Sequence, residues 1–458
     1  MQLFGCCEVD RVRLVRPIQG DIGNAVALFE KDGLVRHGIL LNKISGLGRR
    51  FADQGSASSE LDQACAAVIS GFVLASGCSI LFLGKSMMRR DIVNAAEMLP
   101  PGDRLPADHP MPLEGPVTGP GAWYGPDLAG RDDWQYALSE SDRAEILDAM
   151  VHARARRDRI IDITRDDFPL PTFGTTLSTL KREIMHGRGF VLMRNFPIDD
   201  RSFEEIATLY WGLGSHIGSA RSQNTRGHLL GHVIDLGDTF ENQSVRGYLT
   251  NRHLKYHCDS VDIVGLLCLQ KAKEGGLSSI VSSYTIHNEM WRRAPDLARA
   301  LYGPIARDRR DEIPPGRGPW YELPVFNHYN GRLAINYLRT HIDMSDRHPD
   351  ALRRSEQVDA ALDLVHELAN DPALHLSMSF EPGDIQLLHN HQILHDRTAY
   401  EDWPEQDRKR YLLRLWLSPP DGIDLPEAFA GRYNSVTPGD RGGVVLSGME
   451  RQVPLTPV

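Results

Sequence analysis

The stretch "RKRYLLRLWL", residues 408–417, constrains the fold of this chain more than any other. In an extended strand successive side chains point to opposite faces. Arg410, Leu412, Arg414 and Trp416 therefore share one face, and Tyr411, Leu413, Leu415 and Leu417 share the other. Two readings follow. In the first, the leucines face a core and the arginines face water. In the second, the arginine face points into a barrel. Buried guanidinium groups are costly unless paired, and arginine matches a carboxylate with two parallel hydrogen bonds. The second reading therefore demands an anionic ligand.

The surroundings of this strand suggest a mainly β body with flanking helices (α+β). From about Trp134 the chain offers "SESDRAEILDAMVHARARRD", with an N-cap serine and helical spacing of apolar residues. "STLKREIMHGRG" reads as a helix ending at glycine, "GFVLMRNFP" as a buried strand, and "DDRSFEEIATLYWGLG" as a capped helix. Short strands and turns then dominate, as in a barrel or jelly roll with helices packed outside. Residues 1–115 read as an extension of uncertain order, and residues 116–458 as the main domain. The extension holds a strand-like "VRLVRPI" and a hairpin-like "AVALFEKDGLVRHGILL" with Asp-Gly at its turn. It ends in proline- and glycine-rich sequence suited to a linker or surface wrap. The tandem Met87 and Met88 leave open a natural start at that point.

Net charge of −10 over 458 residues argues against general nucleic-acid binding, which needs a basic surface. Cys6, Cys7, Cys65, Cys78, Cys258 and Cys268 show no C-x-x-C spacing and read as free thiols of a reducing, cytoplasmic compartment. The N-terminus lacks the basic start and apolar run of a secretory signal. Residues 64–84 carry no charge and are long enough to span a bilayer. Their glycines and serines favour a buried helix or strand pair, so no membrane is expected.

Metal chemistry is suggested by "YHCDS". On a strand His257 and Asp259 lie on one face, where an imidazole and a carboxylate can hold neighbouring positions of a metal. Two histidines and one carboxylate leave coordination positions open, the pattern of non-haem iron(II) oxygenases. "LLHNHQILHDRT" offers His389, His391 and His395, whose identical strand parity leaves all three as possible third ligands. Tyr248, Asn251 and His253 lie on the approach to His257 and are candidate substrate contacts. Residues 306–332, rich in proline and glycine, read as a lid or a surface loop.

Together, "YHCDS…GGLSS…PGDIQLLHNHQILHDRTAYEDW…RKRYLLRLWL" resembles the taurine dioxygenase/clavaminate synthase-like family of iron(II)- and 2-oxoglutarate-dependent dioxygenases, from about Gly187 to Ser418. The resemblance implies a double-stranded β-helix, a distorted jelly roll. It implies His257, Asp259 and His395 as metal and catalytic residues. Ser278 and Arg410 become the residues that bind 2-oxoglutarate, and Arg414 a contact to an acidic group of the substrate, with the roles of the two arginines exchangeable. Arg397 is expected to support the site rather than touch a ligand. The cofactors implied are Fe(II), 2-oxoglutarate and O2. The reaction implied is hydroxylation of an unactivated C–H in a small, acidic or amino-acid-derived molecule. Two other readings use the same residues. A zinc hydrolase would need no paired arginines, and a non-catalytic jelly-roll binding protein would be free to lose any ligand.

Overall fold

The computed structural model describes residues 4–9, 12–17, 26–29 and 102–457 apart from 107–108, 110–111 and 238–246, and the chain divides into Met1–Leu99 and Pro100–Val458. In the first unit β1 (Phe4–Val9), β2 (Val12–Pro17) and β3 (Val26–Phe29) form an antiparallel sheet in chain order. β2 is the "VRLVRP" run. The expected turn at Asp32–Gly33, the expected return strand after it and the uncharged segment 64–84 lie outside the described residues. Among the described residues no helix is long and apolar enough to cross a membrane.

The second unit opens with helices whose ends are written in the sequence. α1 (Glu140–Arg156) starts at Ser139, whose hydroxyl accepts from the Asp142 amide while Asp142 accepts from the Ser139 amide. Such a capping box satisfies two otherwise orphaned donors and contributes about 1 kcal/mol. α2 (Phe173–His186) ends at Gly187. The chain then forms β4 (Phe190–Arg194) and α3 (Phe203–Ser215), the latter capped by Ser202 and Glu205. Next come β5 (Leu230–Ile234), β6 (Leu254–His257), β7 (Ile263–Gln270), β8 (Ser278–Ser282) and α4 (Ser283–Arg293). After α5 (Glu356–Ala369) follow β9 (Leu376–Met378), β10 (Ile385–His389), β11 (Ile393–Arg397) and β12 (Tyr411–Ser418).

Two sheets result. The larger has the central order β4-β10-β7-β12, with β5 also on β12, and the smaller has the order β9-β8-β11-β6. They share an apolar layer built from Leu192, Val264, Leu388, Leu412 and Trp416 on one side and Ile280, Ile393 and Met378 on the other. This is the jelly-roll arrangement of a double-stranded β-helix. The outer face of the larger sheet, with Leu413, Leu415 and Leu417, packs against α1, α2 and α3 through Ile146, Leu177 and Leu209. Each leucine so buried contributes about 1.5–3 kcal/mol. The open question about β12 is thereby decided: its leucines face the helices, and Arg410 and Arg414, 4% and 7% exposed, lie on the inter-sheet face.

Residues 306–332 are not loop throughout: they carry two strand pairs, with exposed turns only around residues 311–316 and 330–331. Ala306–Asp308 pairs with Trp320–Glu322, and Phe326–Tyr329 with Arg332–Ile335. Trp320, Tyr321, Leu323 and Phe326 are buried, which is what an aromatic-rich run needs despite its prolines and glycines. The segment before α1 carries a short helix at Gly125–Ala129 and a short strand at Gln135–Ala137 and is seated on the same unit. The Gly125 amide donates to the Leu374 carbonyl at 2.9 Å, and the Trp123 indole N–H donates to the Arg188 carbonyl at 2.8 Å.

Several histidines are sealed in this core. His287 on α4 shares a hydrogen bond with the Tyr302 hydroxyl, at 2.9 Å, and burial pulls its pKa down to about 4. Burial, with His391 beside it, pulls His389 down to about 3. In the unfolded chain both titrate near 6.5. The unfolded state therefore gains protons first as pH falls, so stability is full above about pH 6.5 and drains toward the folded-state values. The melting temperature of the metal-free protein should fall steadily from pH 7 to pH 4, with His389 alone contributing roughly 3 kcal/mol of the loss. A His389→Gln variant that melts with an unchanged pH slope would refute this origin.

Candidate functional site

The site forms where β6 and β11 run side by side. Their register sets His395 directly opposite His257, and the two rings lie 4.2 Å apart between centroids. Asp259 follows two residues after His257. One nitrogen of each histidine and one carboxylate oxygen lie within 4.8 Å of one another. His257 Nε2 is 3.7 Å from Asp259 Oδ1, and His395 Nε2 is 3.9 Å from Asp259 Oδ2. His257 Nδ1 donates to the Lys255 carbonyl at 2.8 Å, which leaves the Nε2 lone pair turned to the cluster. His395 is held neutral, at about pKa 3, by burial and by His257. Burial alone would raise the Asp259 carboxyl, but the Arg414 guanidinium and the two imidazoles outweigh it and hold the group ionised at about 2. Neutral imidazoles and an ionised carboxylate are the protonation states a divalent metal requires.

Asp259 is fixed from two sides. Its Oδ2 accepts from Trp416 Nε1 at 2.8 Å and from Arg414 Nη1 at 3.2 Å. Its backbone is held by Asn390, whose side-chain oxygen accepts from the Asp259 amide at 2.8 Å and whose amide nitrogen donates to the Asp259 and Val261 carbonyls. Arg414 also donates to Gln223 Oε1 at 2.8 Å.

A second group lies along β11 and β8. Ser278 sits opposite Arg397 in the β8–β11 register, and its hydroxyl donates to Gln386 at 3.3 Å. Arg410 and Arg397 both lie over the Tyr400 ring, at 5.1 and 4.7 Å. Burial lowers the pKa of each. Arg410 Nη1 and the Arg397 Nε and Nη1 are buried without hydrogen-bond partners. Gly276 has φ of 68°, and a Cβ there would stand 2.9 Å from Arg410 Nε, so glycine is what admits the guanidinium.

The other expected residues are placed as follows. Tyr248 lies under Arg414, 4.6 Å from ring to guanidinium. Asn251 is exposed and reaches the site region through its backbone, whose carbonyl accepts from the Tyr400 amide at 3.1 Å. His253 meets Asp396 at 2.6 Å. A bulge explains this: between His395 and Arg397 on β11, β6 advances from His257 to Leu254, one residue more. The extra residue flips strand parity, so His253 shares a face with Asp396 and not with His257. His389 ends β10, and His391 sits in the following turn with Nε2 2.9 Å from Asp262 Oδ1.

Three residues escaped the sequence reading: Asn390, Gln223 and Trp416. Trp416 was visible as a neighbour of Arg414 by strand parity, and Asn390 as part of the turn before His395. Nothing local marked Gln223.

The donor set, two imidazoles and a carboxylate beside buried guanidinium groups with open donors, fits iron(II) together with a dicarboxylate. The comparisons agree. The model of the taurine catabolism dioxygenase TauD, TfdA family matches residues 157–416, more than half of the chain. The chain is 33% identical over 321 residues to FR-33289 synthase of Streptomyces rubellomurinus, covering 69% of this chain and 95% of that protein. It is 29% identical over 335 residues to the taurine hydroxylase-like protein SAT17 of Stachybotrys chartarum, covering 69% and 85%. It is 31% identical over 179 residues to a uridine-5'-phosphate dioxygenase of Amycolatopsis, covering 37% and 62%. The chain thus belongs to the TauD, TfdA family and is an iron(II)- and 2-oxoglutarate-dependent dioxygenase.

Proposed function

We propose that His257, Asp259 and His395 hold the iron, that Arg410 and Ser278 anchor 2-oxoglutarate, and that the enzyme hydroxylates an unactivated C–H of a small acidic molecule. The observation that carries this reading is the convergence of the three donor atoms within 4.8 Å. Iron(II) supplies the place where 2-oxoglutarate and dioxygen react, with release of succinate and CO2 and transfer of one oxygen atom to substrate.

This chain's own residues set the conditions. Trp416 and Arg414 both donate to Asp259 Oδ2, which orients the carboxylate and leaves Oδ1 for the metal. Lys255 fixes the tautomer of His257. The inter-sheet apolar layer keeps water from the reacting centre. Arg414 and Tyr248, stacked beside Asp259, are placed to meet the acidic group of a substrate. Taurine and uridine-5'-phosphate, in the names of two relatives, each carry such a group. A zinc hydrolase would leave the open donors of Arg410 without a purpose.

Anaerobic addition of iron(II) and 2-oxoglutarate should produce a weak visible charge-transfer band. It should vanish in His257→Ala and His395→Ala and persist in His389→Ala. A band that survives loss of His395 would sink the ligand assignment. Asn390→Ala should keep the band but weaken iron affinity about 10- to 100-fold, because supporting contacts typically count for that much. Titration with iron(II) under nitrogen measures this, and unchanged affinity would remove Asn390 from the site's support.

A further inference from the structure

Arg397 is two residues beyond His395 on β11 and only 6% exposed. One of its nitrogens, Nη2, donates to the Arg252 carbonyl. Its Nε and Nη1 have no hydrogen-bond partner, and neither does Nη1 of Arg410. Both guanidinium groups lie over one ring, that of Tyr400, whose own hydroxyl is buried. Among the described residues, neither arginine has a carboxylate hydrogen-bonded to its side chain. Asp402 Oδ1 accepts from the Arg410 backbone amide, at 2.7 Å, and its Oδ2 is buried without a hydrogen-bond partner.

Two neighbouring buried cations repel one another, and each has lost its hydration. A single singly paired arginine would not require this arrangement. A carboxylate presents two oxygens and about four acceptor sites, enough to take donors from two guanidinium groups at once. Ser278, the register partner of Arg397, brings a hydroxyl to the same place. The open donors of Arg397 thus face the space that Arg410 and Ser278 border, not the outside of the sheet.

We propose that Arg397 is a second cationic anchor for 2-oxoglutarate, sharing the distal carboxylate with Arg410. This rests on the assignment of Arg410 and Ser278 given above. It alters the place of Arg397 from a support of the histidine ligand to a residue that touches the co-substrate. It also makes Tyr400 the common floor that holds both cations by their faces.

The test uses manganese(II)-loaded full-length protein and calorimetric titration with two ligands. One is 2-oxoglutarate. The other is 2-oxopentanoate, which keeps the keto acid and lacks the distal carboxylate. Arg397→Met should raise the Kd for 2-oxoglutarate about 10- to 100-fold, the range for a hydrogen bond to a charged group, and leave 2-oxopentanoate within about twofold. Arg397→Lys, which restores the charge and guards against a misfolded Met variant, should recover part of the loss. An unchanged Kd for 2-oxoglutarate would overturn the proposal, and so would equal weakening of both ligands, the mark of a structural role. Arg410→Met serves as the control. If it too leaves 2-oxoglutarate binding unaltered, or if the wild type does not bind, the parent assignment fails. If only Arg397→Met is silent, the parent stands and this inference falls.

Discussion

The side chain of Asn390 ties together the two turns from which the site is made. It accepts from the Asp259 amide and donates to the carbonyls of Asp259 and Val261. β6 and β11 can align His257 with His395 by register alone, but Asp259 lies beyond the end of its strand and has no ladder to hold it. Without the amide its backbone would be free to turn away. With it, the carboxylate stays between the two imidazoles, and Arg414 and Trp416 have a fixed oxygen to bind.

A second tie reinforces the first. Asp262, three residues on, is fully buried and accepts from Arg441, His391 and Ser418. Burial opposes its ionisation, and His391 and Arg441 hold it ionised, well below the ordinary carboxylate range. Arg441 comes from a segment beyond the matched family region. It also donates to the Ile423 and Val436 carbonyls. The C-terminal segment is therefore fastened to the same loop that carries Asp259. Removing one partner of so buried an ion pair typically costs about 3–5 kcal/mol. His391, one of three histidines that strand parity could not separate, belongs to this structural cluster.

Much of this was legible in the chain itself. The two faces of β12 followed from alternation, and the helix ends from Ser139, Gly187 and Ser202. The family resemblance pointed to His395 among its neighbours, and the structure sets that residue opposite His257. What could not be read has a common physical character. The bulge in β6 depends on the partner strand, so the face of His253 was invisible to periodicity along one strand. The burial of the strands within residues 306–332 depends on where Trp320 and Tyr321 find apolar surroundings, which proline and glycine content does not report. Gln223 reaches Arg414 from a distant stretch of chain. Local pattern fixes local geometry; contacts between distant segments fix the rest.

The position of Arg397 relative to His395 has a consequence for ligand length. A strand rises about 3.3 Å per residue, so two residues of β11 measure out roughly 7 Å between a metal-facing imidazole and a buried guanidinium. On the proposed assignment, backbone geometry acts as a ruler between the two ends of the co-substrate. A keto acid one carbon shorter would have to leave either the metal or the cations, whereas a flexible anchor on a loop could follow it inward. Selectivity for a five-carbon dicarboxylate is then a property of the sheet, and changes to the residues around the substrate can proceed without disturbing it.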